Sequence, residues 1–211
     1  MVSFDHSGDD VFIKGEFRDG RKWARGRSKL RVHYRITVPE RYDVNLATAG
    51  GSIRIANLEG DVQSATSGGS LHIGQIEGSV EGRTSGGGIS LDGSSGTVDV
   101  RTSGGGISIG RVAGDLQAHT SGGSIEVEEA GGDVTVETSG GRITLRGVRG
   151  SIEASTSGGP IRATLLDQPE RGSTLTTSGG GVTVRLAAEI GVSLDAKTSG
   201  GGVSTELPIT V

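Results

Sequence analysis

Serine is the residue most often presented where it could do chemistry. The tetrapeptide Thr-Ser-Gly-Gly begins at Thr66, Thr84, Thr102, Thr120, Thr138, Thr156, Thr177 and Thr198, with Thr-Ala-Gly-Gly at Thr48. A nucleophilic serine needs one unique neighbourhood with a base beside it, and identical serines in identical settings do not supply one. The tetrapeptide therefore reads as a structural corner. Histidine gives no metal site, because His72 and His119 fall in different outward columns of the repeat and no histidine–carboxylate cluster has ligand spacing. A calcium-binding roll would need aspartates where Ile, Leu or Val follow the glycines here. Outward threonine arrays, as on ice-binding solenoids, would turn Val100 and Val136 outward as well. We expect no catalytic residue, no metal and no cofactor.

The second chemical feature is charge. Arg18, Arg21, Lys22, Arg25, Arg27 and Lys29, continuing through Arg31 and Arg35, form a basic run whose one acid is Asp19. Such a run is a candidate surface for dispersed negative charge: an anionic envelope polymer, a lipid or another surface protein. A solvated hairpin, or a charged edge that blocks strand addition, is the competing reading. The chain as a whole carries a net charge of -4, too mild to imply nucleic acid as a partner. Cysteine is absent, which excludes disulfides and thiolate metal sites. No stretch approaches the ~18 apolar residues of a membrane span, and Met1 to Gly8 has no signal-peptide pattern.

The elements that must position these groups follow from the spacing. Between Thr48 and Thr156 the tetrapeptide recurs every 18 residues, and the last two intervals are 21. Counted from Thr102, aliphatics fall at Ile107, Ile109, Val112, Leu116 and Ala118 before Thr120 opens the next rung. These are two short period-2 runs bounded by glycine, hence two strands per rung. Glycine contributes 40 residues and aromatics 3%, so the interior must be narrow and built from small aliphatics. Each strand finds its partner in the neighbouring rung, which gives parallel ladders rising about 4.8 Å per rung. A lone rung cannot offset the entropy of ordering it, so stability comes from stacking.

The expected fold is all-β, a single-stranded parallel β-helix or β-solenoid of about nine rungs of 18–21 residues, coiled right-handed. A left-handed hexapeptide helix would want an aliphatic at every sixth position, which is not the spacing found. Alternation points the threonines inward, the serines outward, and leaves Gly68, Gly69 and their equivalents to permit φ > 0 or tight stacking. Residues 1–45 read as an N-terminal β-hairpin cap of the same domain, with strands at Val11 to Phe17 and Leu30 to Val38; residues 46–211 read as the solenoid. All six aromatics precede Thr48. Two enlarged loops, Leu165 to Gly172 and Leu186 to Gly191, should lie one above the other.

Tyr34-Arg35-Ile36-Thr37-Val38-Pro39, followed by Gly50-Gly51-Ser52-Ile53-Arg54-Ile55 and the return strand Gly60-Asp61-Val62, resembles the adhesin-like family of bacterial β-solenoid repeat domains, a domain of unknown function with Ser-Gly-Gly-x-Ile rungs. The resemblance covers nearly the whole chain and brings no catalytic residues with it. It implies a location at the bacterial cell envelope or surface, with adhesion or envelope-stress sensing as roles. The leading expectation is a non-catalytic scaffold or adhesin-like domain. A polysaccharide-active β-helix enzyme would need acids and bases converging on one groove. A filament or end-to-end oligomer is the third reading, because Val203 to Val211 is an incomplete rung carrying Leu207, Ile209 and Val211.

Overall fold

A computed structural model describes residues 2–7, 10–15 and 33–191. The chain divides into two compact units, Met1–Thr37 and Val38–Val211. In the first, Val2–Ser7 and Asp10–Gly15 pair antiparallel, with Ser7 opposite Asp10. This corrects the expected hairpin. The strand placed at Val11 to Phe17 is seen as Asp10–Gly15, paired with Val2–Ser7; of the partner expected at Leu30 to Val38, residues 30–32 lie outside the described residues. Gly8-Asp9, between the paired ends, is a two-residue hairpin signal, and closing that short connection costs far less entropy than pairing with a strand some twenty residues on. Residues 33–38 are not in a strand, and Tyr34 and Ile36 are exposed.

The second unit is the solenoid. One sheet stacks eight parallel strands: Val44–Thr48, Val62–Thr66, Val80–Thr84, Val98–Thr102, Leu116–Thr120, Val134–Thr138, Ile152–Thr156 and Thr174–Thr177. We call it sheet I. Sheet II stacks Ile53–Ile55, Leu71–Glu77, Ile89–Ser94, Ile107–Val112, Ile125–Ala130, Ile143–Val148, Ile161–Leu165 and Val182–Leu186, and Leu58–Glu59 also pairs with Leu71–Glu77. The described residues thus make eight turns, and the ninth expected rung, opened by Thr198, lies outside them. Register steps by 18, as in Val100 opposite Ala118, and by 21 across the enlarged rung, as in Ala154 opposite Leu175.

Inward residues of both sheets form one continuous aliphatic core, from Ile53 to Leu165. The isoleucine slot after the corner is filled by Ile89, Ile107, Ile125, Ile143 and Ile161, each almost wholly buried. Identical β-branched side chains stacked at one-rung spacing fill a narrow interior without voids. The core departs from aliphatic at Ser64, Gly82 and Ser94, all buried. Ser94 is satisfied: its hydroxyl donates to the Gly78 carbonyl at 2.6 Å and accepts from Gly96 N–H at 3.1 Å. The buried hydroxyl of Ser64 has no partner.

The foot of the solenoid is covered in part by its own chain. Tyr42 N–H donates to the Glu59 carbonyl and Glu59 N–H to the Glu40 carbonyl, both at 2.9 Å, while Val38 and Tyr42 pack against the core.

Candidate functional site

Each rung has two corners. The Thr-Ser-Gly-Gly corner leads from sheet I to sheet II, and a polar corner leads back.

At the first, the threonines point inward as expected. In Thr66, Thr84, Thr102, Thr120, Thr138, Thr156 and Thr177 the hydroxyl donates at 2.7–2.9 Å to the carbonyl of the second corner glycine one rung earlier. The same oxygen accepts, at 3.1–3.4 Å, the N–H of the second glycine in its own rung. The first glycine N–H still donates to the serine carbonyl one rung earlier, as Gly122 does to Ser103 at 3.0 Å, and the threonine hydroxyl relays the bond at the second glycine. The glycines serve close stacking, since among the described residues the one glycine with a positive φ is Gly60, at 144°. A Cβ on Gly69, Gly87, Gly105, Gly123, Gly141, Gly159 or Gly180 would lie 1.9–2.2 Å from the glycine carbonyl oxygen one rung earlier. The first glycine is looser, with 3.6 Å at Gly68. Serines 67, 85, 103, 121, 139, 157 and 178 face solvent.

The polar corner uses side chains as acceptors for the next rung, a role not anticipated from the sequence. Asp43 accepts Asp61 N–H at 2.8 Å, Asp61 accepts Ser79 N–H at 2.8 Å, Asp115 accepts Asp133 N–H at 2.9 Å, and Asp133 accepts Ser151 N–H at 2.8 Å. The repeated Gly-Asp-Val or Gly-Asp-Leu at 60, 114 and 132 was the available signal. Both enlarged loops lie at this corner and do meet: Gly191 N–H donates to Gln168 Oε1 at 2.9 Å. Arg171 of the first loop reaches back to Asp133, and Asp167 holds Arg149 at 2.7 Å.

Outward on sheet II, Arg146 sits between Glu128, at 2.8 Å, and Glu126, while Arg149 also meets Glu129 at 3.5 Å. The hydrogen bond and charge of Glu128, then the charge of Glu126, hold the Arg146 guanidinium above its ordinary pKa; Asp167 first and Glu129 second do so for Arg149. These are exposed pairs, individually worth little. His72 is exposed on this sheet, and His119 lies on the other, 3.3 Å from Glu137. Among the described residues no group of three or more His, Cys, Asp or Glu could hold a metal ion.

Sheet I presents two concavities on its outer side. A groove of about 540 Å³ runs along four rungs between Asp61, Ser79, Thr97 and Asp115 on one flank and Gln63, Glu81, Asp99 and Gln117 on the other. A smaller notch of about 370 Å³ lies at the Thr-Ser-Gly-Gly corner of the lowest rungs, around Ala47, Ala65 and Arg83. The basic run, Arg18, Arg21, Lys22, Arg25, Arg27 and Lys29, lies outside the described residues, so its geometry adds nothing to either concavity.

The Toastrack DUF4097 family model matches residues 19–210. The chain belongs to the Toastrack DUF4097 family. It is a domain of unknown function with a β-solenoid fold, in agreement with the ladders above. No curated protein and no solved structure matches it significantly. In this Toastrack domain the repeated serines and threonines are corner elements. The groove follows four regular rungs, and the notch lies where the outward column changes from alanine to arginine. No helix among the described residues is long and apolar enough to cross a membrane.

Proposed function

We propose that this Toastrack domain is a non-catalytic, adhesin-like binding scaffold of the bacterial cell envelope, holding anionic envelope polymer or lipid. One observation carries the reading. The repeated threonine hydroxyls are spent on stacking, the repeated serines face solvent in identical settings, and the outward side chains stand in straight columns one rung apart. A rigid ladder of evenly spaced side chains suits many weak contacts to a repetitive polymer. The resemblance to adhesin-like repeat domains supports the envelope location. The basic run from Arg18 to Lys29 supplies long-range attraction to negative charge, which salt screens over about 8 Å at 0.15 M.

Sedimentation of the full chain with acidic cell-wall polymer and with anionic vesicles, at low and physiological salt, tests it. Wild type should co-sediment more at low salt, and replacing Arg21, Lys22, Arg25 and Arg27 with glutamine should greatly reduce this. Polymer length should stay unchanged with or without divalent metal. No co-sedimentation, or turnover lost on mutating a single carboxylate, would refute the proposal.

A further inference from the structure

The notch on sheet I exists because of a difference between rungs. Its column reads Ala47, Ala65, Arg83, Arg101, His119, Glu137, Ser155 and Thr176 in successive strands, so the two lowest rungs put a methyl group where the next four put long side chains. The space left, about 370 Å³, is floored by Ala47 and Ala65, rimmed by the corner residues Thr48, Ser67 and Ser85, and overhung by Arg83.

Its electrostatics differ from those of the neighbouring groove. Arg83 is the one charged residue lining the notch, and it also borders the groove, where Asp61, Glu81, Asp99 and Asp115 join it. Arg83 spends one end of its fork on Glu81, at 2.8 Å, and remains about half exposed; a guanidinium has five N–H donors, so others stay available. The hydroxyls around it differ in availability. Those of Thr66 and Thr84 are committed to glycine carbonyls. Thr48 shares the inward alternation of Val44 and Leu46 and stands in register with Thr66, so its hydroxyl faces its own corner beside Gly51 and is not offered to the notch. Ser67 and Ser85 point to solvent.

We propose that this notch binds the carboxylate of an acidic sugar in an envelope polymer, with Arg83 taking the charge, Ser67 and Ser85 contacting ring hydroxyls, and the Ala47 and Ala65 methyls lying under the ring. This rests on the polymer-binding reading above and names the ligand class and the place. A single cation, shared with a groove that carries four carboxylates, favours one carboxylate at a time over a dense polyanion. Affinity per notch is modest, with a Kd on the order of 1 mM, because the contacts are few and wet.

The upper rungs supply a fold-neutral way to close the notch. Ala65→Glu places in the second rung what Glu137 already places four rungs higher in the same column. Titration of the full chain with trigalacturonic acid, followed by NMR at the Ala65 amide and Arg83 Nε, should give saturable shifts. Its methyl ester should bind at least about tenfold more weakly, as should the acid to Arg83→Gln and to Ala65→Glu. Unchanged thermal melting of the variants shows that the fold is intact. Equal binding of acid and ester, no binding of the acid, or binding untouched by both variants overturns the proposal. Tighter binding of trialanine than of the uronate would do so too, assigning the notch to a peptide carboxyl end. Ala65→Glu that still co-sediments with whole polymer while losing nothing in the titration sinks the notch alone; loss of wild-type co-sedimentation sinks the broader reading.

Discussion

The two corners of a rung solve one problem with different tolerance. Both must hand the chain between sheets while the backbone of each rung sits on the one before it. At the Thr-Ser-Gly-Gly corner the second glycine has no room for a Cβ in any stacked rung, including Gly180 above Gly159 across the 21-residue interval. At the polar corner a glycine column is also close-packed, for instance Gly78 over Gly60 and Gly150 over Gly132, but it ends there, and a Cβ on Gly172 would meet nothing within 4 Å. Hydrogen bonding follows the same division. Threonine serves every stacked rung at one corner, while Asp, Ser and Thr alternate at the other and both enlarged loops enter there. Where the bonding side chain is buried beside a close-packed glycine, as threonine is, residue type is dictated; where it is exposed, several types and lengths serve.

The largest expected effect is at the glycine. Gly123→Ala drives a methyl to 2.1 Å from the Gly105 carbonyl oxygen, so rungs must separate locally, at a cost of about 3 kcal/mol or more. Gly172→Ala should change stability by less than about 1 kcal/mol, with a stabilising sign if its backbone suits alanine. Urea unfolding of the two proteins measures this, and equal losses would erase the distinction between the corners. Thr120→Val keeps shape and burial but orphans the Gly105 carbonyl and the Gly123 N–H. A loss of about 1–3 kcal/mol follows, read from the same unfolding curves. Asp115→Ala removes an exposed acceptor from Asp133 N–H, where water can substitute, and should cost about 0.5–1 kcal/mol. A loss at Asp115 matching that at Thr120 would show that solvent does not relieve the polar corner.

Much of the ladder was legible in the sequence because repetition averages out local ambiguity. The alternation through Leu116, Ala118 and Thr120 placed the threonine inward, and all three are buried. The enlarged loops were found as interruptions of the same count. What escaped had no repetition behind it. The N-terminal strand at Asp10–Gly15 was seen, but its partner Val2–Ser7 was missed, because Tyr34, Ile36 and Val38 offered a stronger alternation than Phe4 and His6 do. Ser64 and Gly82 were missed as core positions, since polar and absent side chains do not register in an aliphatic pattern. The notch was invisible for a related reason: Ala47 and Ala65 matter through the bulk they lack relative to Arg83 and Arg101.

The central claim is that the 18-residue rung is the unit of folding and of display. Two deletions test it most directly. Removing Thr102 to His119 takes out one full rung and joins Arg101 to Thr120, so every inward slot and the threonine relay keep their register. That protein should fold and unfold cooperatively, with a modest loss of stability. Removing Thr102 to Gly110 takes out half a rung, sets sheet I residues against sheet II positions and should leave the chain unfolded or aggregated. Circular dichroism with urea unfolding of both distinguishes them. A folded full-rung deletion beside an unfolded half-rung deletion is the predicted result, and the same behaviour from both would contradict the account.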